Sequence, residues 1–141
     1  MRWGRAGAGA LVVACTTGRV LLVLRSQDVT EPGTWGLPGG KIEPSEKPMP
    51  AAIRELREET RFRGELLFFP SFVFREEGFV FYNFFALAKD EFKPKLDWEN
   101  DDAQWFELDQ LPEPLHFGVE RLLDEAGHEI PGLIEQCASS F

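Results

Sequence analysis

"GGKIEPSEKPMPAAIRELREETRF", residues 39–62, holds the densest charge in the chain: Arg54–Glu59 contains three carboxylates and two arginines. At ~100° per residue, Ala52, Ile53, Leu56 and Thr60 share one arc of a helix, and Glu55, Glu58 and Glu59 share an adjacent one. Like charges at these spacings repel and cost a helix a few tenths of a kcal/mol per pair. Arg54, Arg57 and Arg61 offset the repulsion, so residue spacing alone leaves a solvated salt-bridged face as an alternative. Pro50 suits the first helical position, where its missing N–H is not needed, and with Pro48 it excludes an earlier start. The pattern predicts a helix from about Pro50 to Arg61.

The neighbourhood of this helix narrows its chemistry. Gly39 and Gly40 put flexible backbone beside it, where a carbonyl can also face a cation. Hard divalent cations take oxygen ligands and bridge carboxylates to phosphates. No His or Cys lies in the stretch, which argues against zinc. The pattern therefore points to Mg²⁺ or Mn²⁺ and phosphate chemistry.

The rest of the chain sets bounds. Its 141 residues, 43% hydrophobic and 28% charged, fit one folded domain, 1–141. A net charge of −9 argues against polymeric nucleic acid or an anionic membrane as partner, and leaves a small polyanion bridged by metal. No residue pattern supports a homodimer. Cys15 and Cys137 form no CxxC; reduced thiols of a cytoplasmic protein are expected, with one disulfide joining the two ends of the chain as the alternative. Residues 1–15 resemble a lipoprotein signal, with Arg2 and Arg5 ahead of an apolar run. The strand reading is preferred, because "VLLVLRS" follows at hairpin distance across Gly18. No apolar stretch approaches the ~20 residues that span a bilayer.

Residues 26–40 read as a loop with at most a short strand near Trp35. Two Phe-rich strands are expected at 65–76 and 79–90, with the turn at Glu77-Gly78, and a further strand at 103–108. "LHFGVERLLDEAG" reads as an amphipathic helix with Leu115, Val119, Leu122 and Leu123 inward. The last dozen residues carry no signal. Strands and helices in this order predict a mixed α/β sheet with helices packed on it.

Gly40, Glu46, Arg54, Glu55, Leu56, Glu58, Glu59 and Phe62 resemble the Nudix box, G-x5-E-x7-R-E-U-x-E-E-x-G-U, where U is a bulky apolar residue. The second glycine is replaced by Arg61, which must either adopt positive φ or let the helix run on towards Gly64. The resemblance extends to the upstream hairpin and "WGLPGG". It implies a Nudix-type α/β/α sandwich and a hydrolase splitting a nucleoside diphosphate linked to X. The metal ligands implied are Glu55, Glu58 and Glu59 with the Gly39 carbonyl. Arg54 is then the residue orienting them, Glu55 or Glu58 the base, Gly40 and Glu46 supporting groups, and Glu43 a solvated one. Glu99 is the expected fourth ligand or the base, ahead of Asp101 and Asp102. Arg25, Trp35 and Tyr82 are substrate candidates, with Phe74 and Phe84 as further stacking surfaces; His116 and Phe117 are read first as ordinary helix-start residues, with pocket lining as their alternative role. Two other readings are weighed: a Nudix-like binding domain without catalysis, against which all box carboxylates are present, and a related isomerase, whose Cys has no place here.

Overall fold

The apolar runs on either side of Gly18 form the expected hairpin. The computed structural model describes residues 6–141, apart from the Ala138 side chain. In it β1 (Ala6–Ala14) pairs antiparallel with β2 (Val20–Arg25), Val12 opposite Leu21. Gly18 sits in the turn at φ +76°, a left-handed conformation that glycine adopts without steric cost. Arg2 and Arg5 of the signal-like stretch lie outside the described residues; the run that follows them is a central strand of the sheet.

β1 also runs parallel to the later Phe-rich strand. Short strands β3 (Trp35–Gly36) and β4 (Gly39–Lys41) precede the charged helix, and β5 (Leu67–Glu76), β6 (Phe79–Ala88) and β7 (Asn100–Phe106) follow it. The order is β3-β2-β1-β6-β5, with β4 on β1 and β7 on β2; β1·β6 is parallel and the other pairs are antiparallel. β4 was not anticipated, because Gly-Gly-Lys has no strand propensity and pairs only through its backbone. β7 starts three residues before the expected Ala103, its polar Asn-Asp-Asp opening hiding a half-exposed strand.

Three helices cover the two faces. α1 (Pro48–Thr60) starts at Pro48, earlier than the expected Pro50, because both prolines fit a first turn whose N–H groups need no helical partner. It stops at Arg61, which takes φ +63° and donates its N–H to the Arg57 carbonyl at 2.8 Å. The left-handed cap is therefore kept without glycine. α2 (Phe117–Ala126) and α3 (Ile130–Ser140) are joined by a 3-10 turn, Gly127–Glu129; α3 occupies the terminal residues that carried no signal.

β1 side chains alternate between two cores. Ala8, Ala10 and Val12 meet Ala51, Ala52 and Leu56 of α1; Leu11 and Val13 meet Val119, Leu122 and Ile130 of α2 and α3. The result is an α/β/α sandwich. Ala51 takes the fully buried place expected of Ile53, which is half-buried. No described helix is long and apolar enough to cross a membrane.

The expectation of reduced thiols is corrected: Cys15, just past β1, is disulfide-bonded to Cys137 of α3, with Cα atoms 5.9 Å apart. Packing of α3 onto the end of β1 creates that proximity, and α3 itself was invisible in the sequence. The cysteines thus no longer argue for a reducing compartment. Since the bond closes a 122-residue separation, reduction or Cys137→Ser should lower stability by about 2–4 kcal/mol, read by urea unfolding with and without reductant. Arg61→Gly should raise stability by up to about 1 kcal/mol, because the left-handed cap strains any side chain; a loss in the same measurement would show that the Arg61 side chain supports the fold.

Candidate functional site

Helical spacing places Glu55 and Glu59 one turn apart on the edge of α1 that faces β4. Glu55, Glu59 and Glu99 each offer a carboxylate oxygen, and the three oxygens lie within 4.8 Å of one another. Glu99 reaches the helix because β7 starts against β2 at a register shift beside Arg25, where Arg25 pairs with Asn100. The Ser26 N–H donates to the Glu99 carbonyl at 2.9 Å and fixes the backbone there. Glu58 is not in this group: its side chain is 56% exposed and accepts from Arg54 Nη1 at 3.2 Å.

Glu59 is the most enclosed of the three. The Gly39 N–H donates to its Oε2 and Asn100 Nδ2 donates to its Oε1, both at 3.0 Å. Glycine is required alongside. A Cβ on Gly40 would stand 2.7 Å from the Glu55 carboxylate, and one on Gly39 would stand 2.7 Å from the Ala8 carbonyl oxygen. Burial pushes all three carboxyls above the usual range, Glu59 furthest. Three crowded carboxyls without a cation among them are costly to ionise together. An all-oxygen donor set with no His or Cys suits a hard divalent cation rather than zinc.

Arg54 ties the helix to the loop before it. Its Nε and Nη2 donate to the two oxygens of Glu46 at 2.6 and 2.9 Å, Nη1 donates to Glu55 at 3.1 Å, and Nη2 also donates to the Lys41 carbonyl at 3.0 Å. The bidentate pair holds the Glu46 carboxyl down at about 2. Glu46 in turn accepts the Glu43 N–H at 2.9 Å, while Glu43 itself is exposed.

A cavity of about 450 Å³ adjoins the carboxylates at Gly39 and Arg25. Arg25 donates from Nε and Nη2 to the Thr30 carbonyl and hydroxyl at 2.7 and 3.1 Å, and has no ion-pair partner among the described residues. Phe74, His116 and Phe117 also line the cavity. Among the sequence candidates, Trp35 and Tyr82 lie outside this lining. Trp35 packs edge-on against Phe106, and Tyr82 packs against the core on the α1 side, with buried Phe84. Strand alternation separates them: Phe79, Phe81 and Asn83 of β6 line the cavity, so Tyr82 and Phe84 face away. Asp101 is exposed, and Asp102 bonds the Ala103 N–H and Gln104. Sequence reasoning missed Asn100 and Asn83, because nothing local distinguishes a buried asparagine in a strand; His116 and Phe117 were placed at a helix start with pocket lining as the second choice, and both line the cavity.

The described residues thus form a mixed sheet between helices, with a carboxylate set where a helix meets a glycine strand. The family model for the NUDIX domain matches residues 4–126, and the chain belongs to the Nudix family. A putative 8-oxo-dGTP diphosphatase of Bacillus subtilis (strain 168) is 36% identical over 58 residues, 41% of this chain and 37% of the relative. A putative 8-oxo-dGTP diphosphatase 3 of Mycobacterium tuberculosis is 41% identical over 69 residues, 46% of this chain and 32% of the relative. The matched region thus spans about a third of these relatives' length. Among solved structures, a MutT NUDIX hydrolase from Burkholderia pseudomallei superposes with TM-score 0.68 at 30% identity, covering 86% of this chain and 97% of that one. The M. smegmatis Nudix hydrolase RenU gives TM-score 0.70 at 26% identity, covering 97% and 88%.

Asn100→Ala removes one of the two donors to a buried carboxylate and should cost about 1–3 kcal/mol of stability in thermal or urea unfolding. Gly40→Ala should fold but displace the Glu55 carboxylate, visible as a shifted side-chain resonance or in a crystal structure.

Proposed function

We propose that the chain is a divalent-metal-dependent pyrophosphohydrolase that cleaves a nucleoside diphosphate linked to X by attack of water on phosphorus. The observation that carries this reading is the convergence of Glu55, Glu59 and Glu99 beside a cavity lined by Arg25, which has no ion-pair partner among the described residues. These three carboxylates, with the Gly39 carbonyl, are the groups proposed to hold Mg²⁺ or Mn²⁺. Glu58 stands next to them and would join only by leaving its pair with Arg54. When bound, the cation neutralises the diphosphate and lowers the pKa of a ligated water.

The chain's own residues supply the rest. Arg54 keeps Glu55 from swinging out of the set, and Glu46 holds Arg54 against the loop. Asn100 and the Gly39 N–H fix Glu59. Arg25 offers a phosphate its free Nη1, on a side chain already braced by Thr30. Glu55 is the candidate general base and Glu58 the alternative, each taking a proton from water. No covalent enzyme intermediate is needed, since neither His116 nor His128 lies in the carboxylate set. The relatives named above, with the CTP pyrophosphohydrolase of Escherichia coli, 45% identical over 42 residues, support a nucleoside triphosphate or a related nucleotide as substrate.

Activity on a nucleoside triphosphate panel should disappear in EDTA and return with Mg²⁺ or Mn²⁺. Glu59→Gln should lower kcat by at least about 100-fold and weaken Mn²⁺ binding measured by electron paramagnetic resonance, while the circular dichroism stays unchanged. Reaction in ¹⁸O-water should place one label on a product phosphate. Turnover in chelator, or label on sugar or base carbon, would overturn the reading.

A further inference from the structure

Four exposed cations gather at the C-terminal end of α1. Arg61 and Arg63 flank Phe62, and Lys93 and Lys95 follow Phe92 on the segment that leads to β7. The two segments are pinned together. The Phe62 and Phe92 rings stack with centroids 3.9 Å apart, and the Lys95 N–H donates to the Thr60 carbonyl at 2.8 Å. Trp105 holds the second segment in place: its Nε1 donates to the Phe92 carbonyl at 2.8 Å, and its ring meets the Phe92 ring edge-on at 5.3 Å. Within each segment the cations are two residues apart, so at most ~7 Å of backbone separates them. Among the described residues none of the four makes an ion pair or donates a side-chain hydrogen bond to the protein.

Cations collect at helix C-termini simply to meet the unsatisfied carbonyls. Other groups fill that task here. Arg57 Nη1 donates to the Phe62 and Gly64 carbonyls at 2.9 and 3.3 Å, and Thr60 Oγ1 to the Leu56 carbonyl at 2.8 Å. Arg61 and Lys95 contribute through their backbone N–H groups, not their side chains. Arg61 also holds φ +63°, where glycine is unstrained. A strained residue whose side chain returns no contact to the fold points to a partner outside it.

We propose that this clasp is a second anion site, outside the carboxylate set, that binds a group of two or three linked phosphates. In a chain of net charge −9, four uncompensated positive charges held side by side are where a small polyanion is drawn. Guanidinium forks take phosphate oxygens in pairs, and the lysines add point charges along the row of phosphates. Exposed Glu65 and Asp90 stand on the same two segments beyond the cations, which suits a short ligand rather than a polymer. The site needs neither metal nor turnover, and so goes beyond the hydrolase reading. Its phosphates can come as inorganic pyrophosphate or as the tail of a nucleotide.

The test is calorimetric titration of the full chain with tripolyphosphate, pyrophosphate and orthophosphate in metal-free, low-salt buffer, where no cation bridges phosphate to the carboxylates. Tripolyphosphate should bind at least about tenfold more tightly than orthophosphate, and its affinity should fall as salt is raised. Arg61→Gly, whose backbone suits the cap, should weaken tripolyphosphate at least about fivefold, and Lys93→Gln with Lys95→Gln at least about tenfold. Lys47→Gln removes the same charge at the other end of α1 and should change the affinity less than about twofold. ADP and pyrophosphate bound equally would make the phosphates the whole ligand, and tighter ADP would make the source a nucleotide tail; either keeps the site. No binding without metal, or an equal loss in Lys47→Gln and Arg61→Gly, would overturn the proposal. A chain that binds tripolyphosphate in this pattern and never turns over a nucleotide would keep the clasp and lose the hydrolase reading alone.

Discussion

Close backbone approach between β1, β4 and α1 is the constraint on which the site depends. Gly9 lies where a Cβ would meet the Pro38 carbonyl oxygen at 2.8 Å, and Gly39 and Gly40 leave similarly little room. Without side chains there, β4 pairs with β1 and still lies under α1, so that a backbone N–H of the sheet can end on a carboxylate of the helix. Larger residues would wedge the helix away and open the carboxylate set. The sheet topology follows from the same requirement: β1 must be central and small on the face towards α1, which is why Ala8 and Ala10 occupy it.

This arrangement opposes stability. Carboxylates gathered at the edge of a core are desolvated and mutually repulsive, and a protein retains them only when other interactions offset the cost. Here Arg54 and Asn100 do so in part, one as a charge and the other as a neutral donor. The two cores are otherwise built from apolar side chains, apart from buried Asn83, and the crowded carboxylates gather where the edge of α1 meets the segment before β7.

How much of this was legible depends on whether the signal was local. The hairpin, the Phe-rich strands, α1 and α2 announce themselves through alternation, helical period and turn residues, and the box residues fall at fixed spacing. Glu99 lies beside Glu55 and Glu59, and only the resemblance of the segment ahead of Trp105 singled it out from its acidic neighbours. Three things were not legible. β4 exists through backbone pairing alone. α3 has no polar-apolar contrast sharp enough to mark it, and the thiol that it carries to Cys15 went with it. Which Phe lines the cavity depends on strand register, and a one-residue shift in β6 exchanges Tyr82 and Phe84 for Phe81 and Asn83. Glu58 shows the opposite case: its spacing fits the pattern, and the turn of the helix still leaves it exposed.

The bond between Cys15 and Cys137 makes the polypeptide from the end of the first strand to the last helix a covalently closed ring. A ring cut once remains one molecule. The segment that crosses from β2 to β3, where Gln27, Asp28, Thr30, Glu31 and Pro32 are exposed, is open to cleavage by a protease. A nick there would leave both halves tethered as well as packed, so damage that would split an open chain becomes a topological change that can be survived.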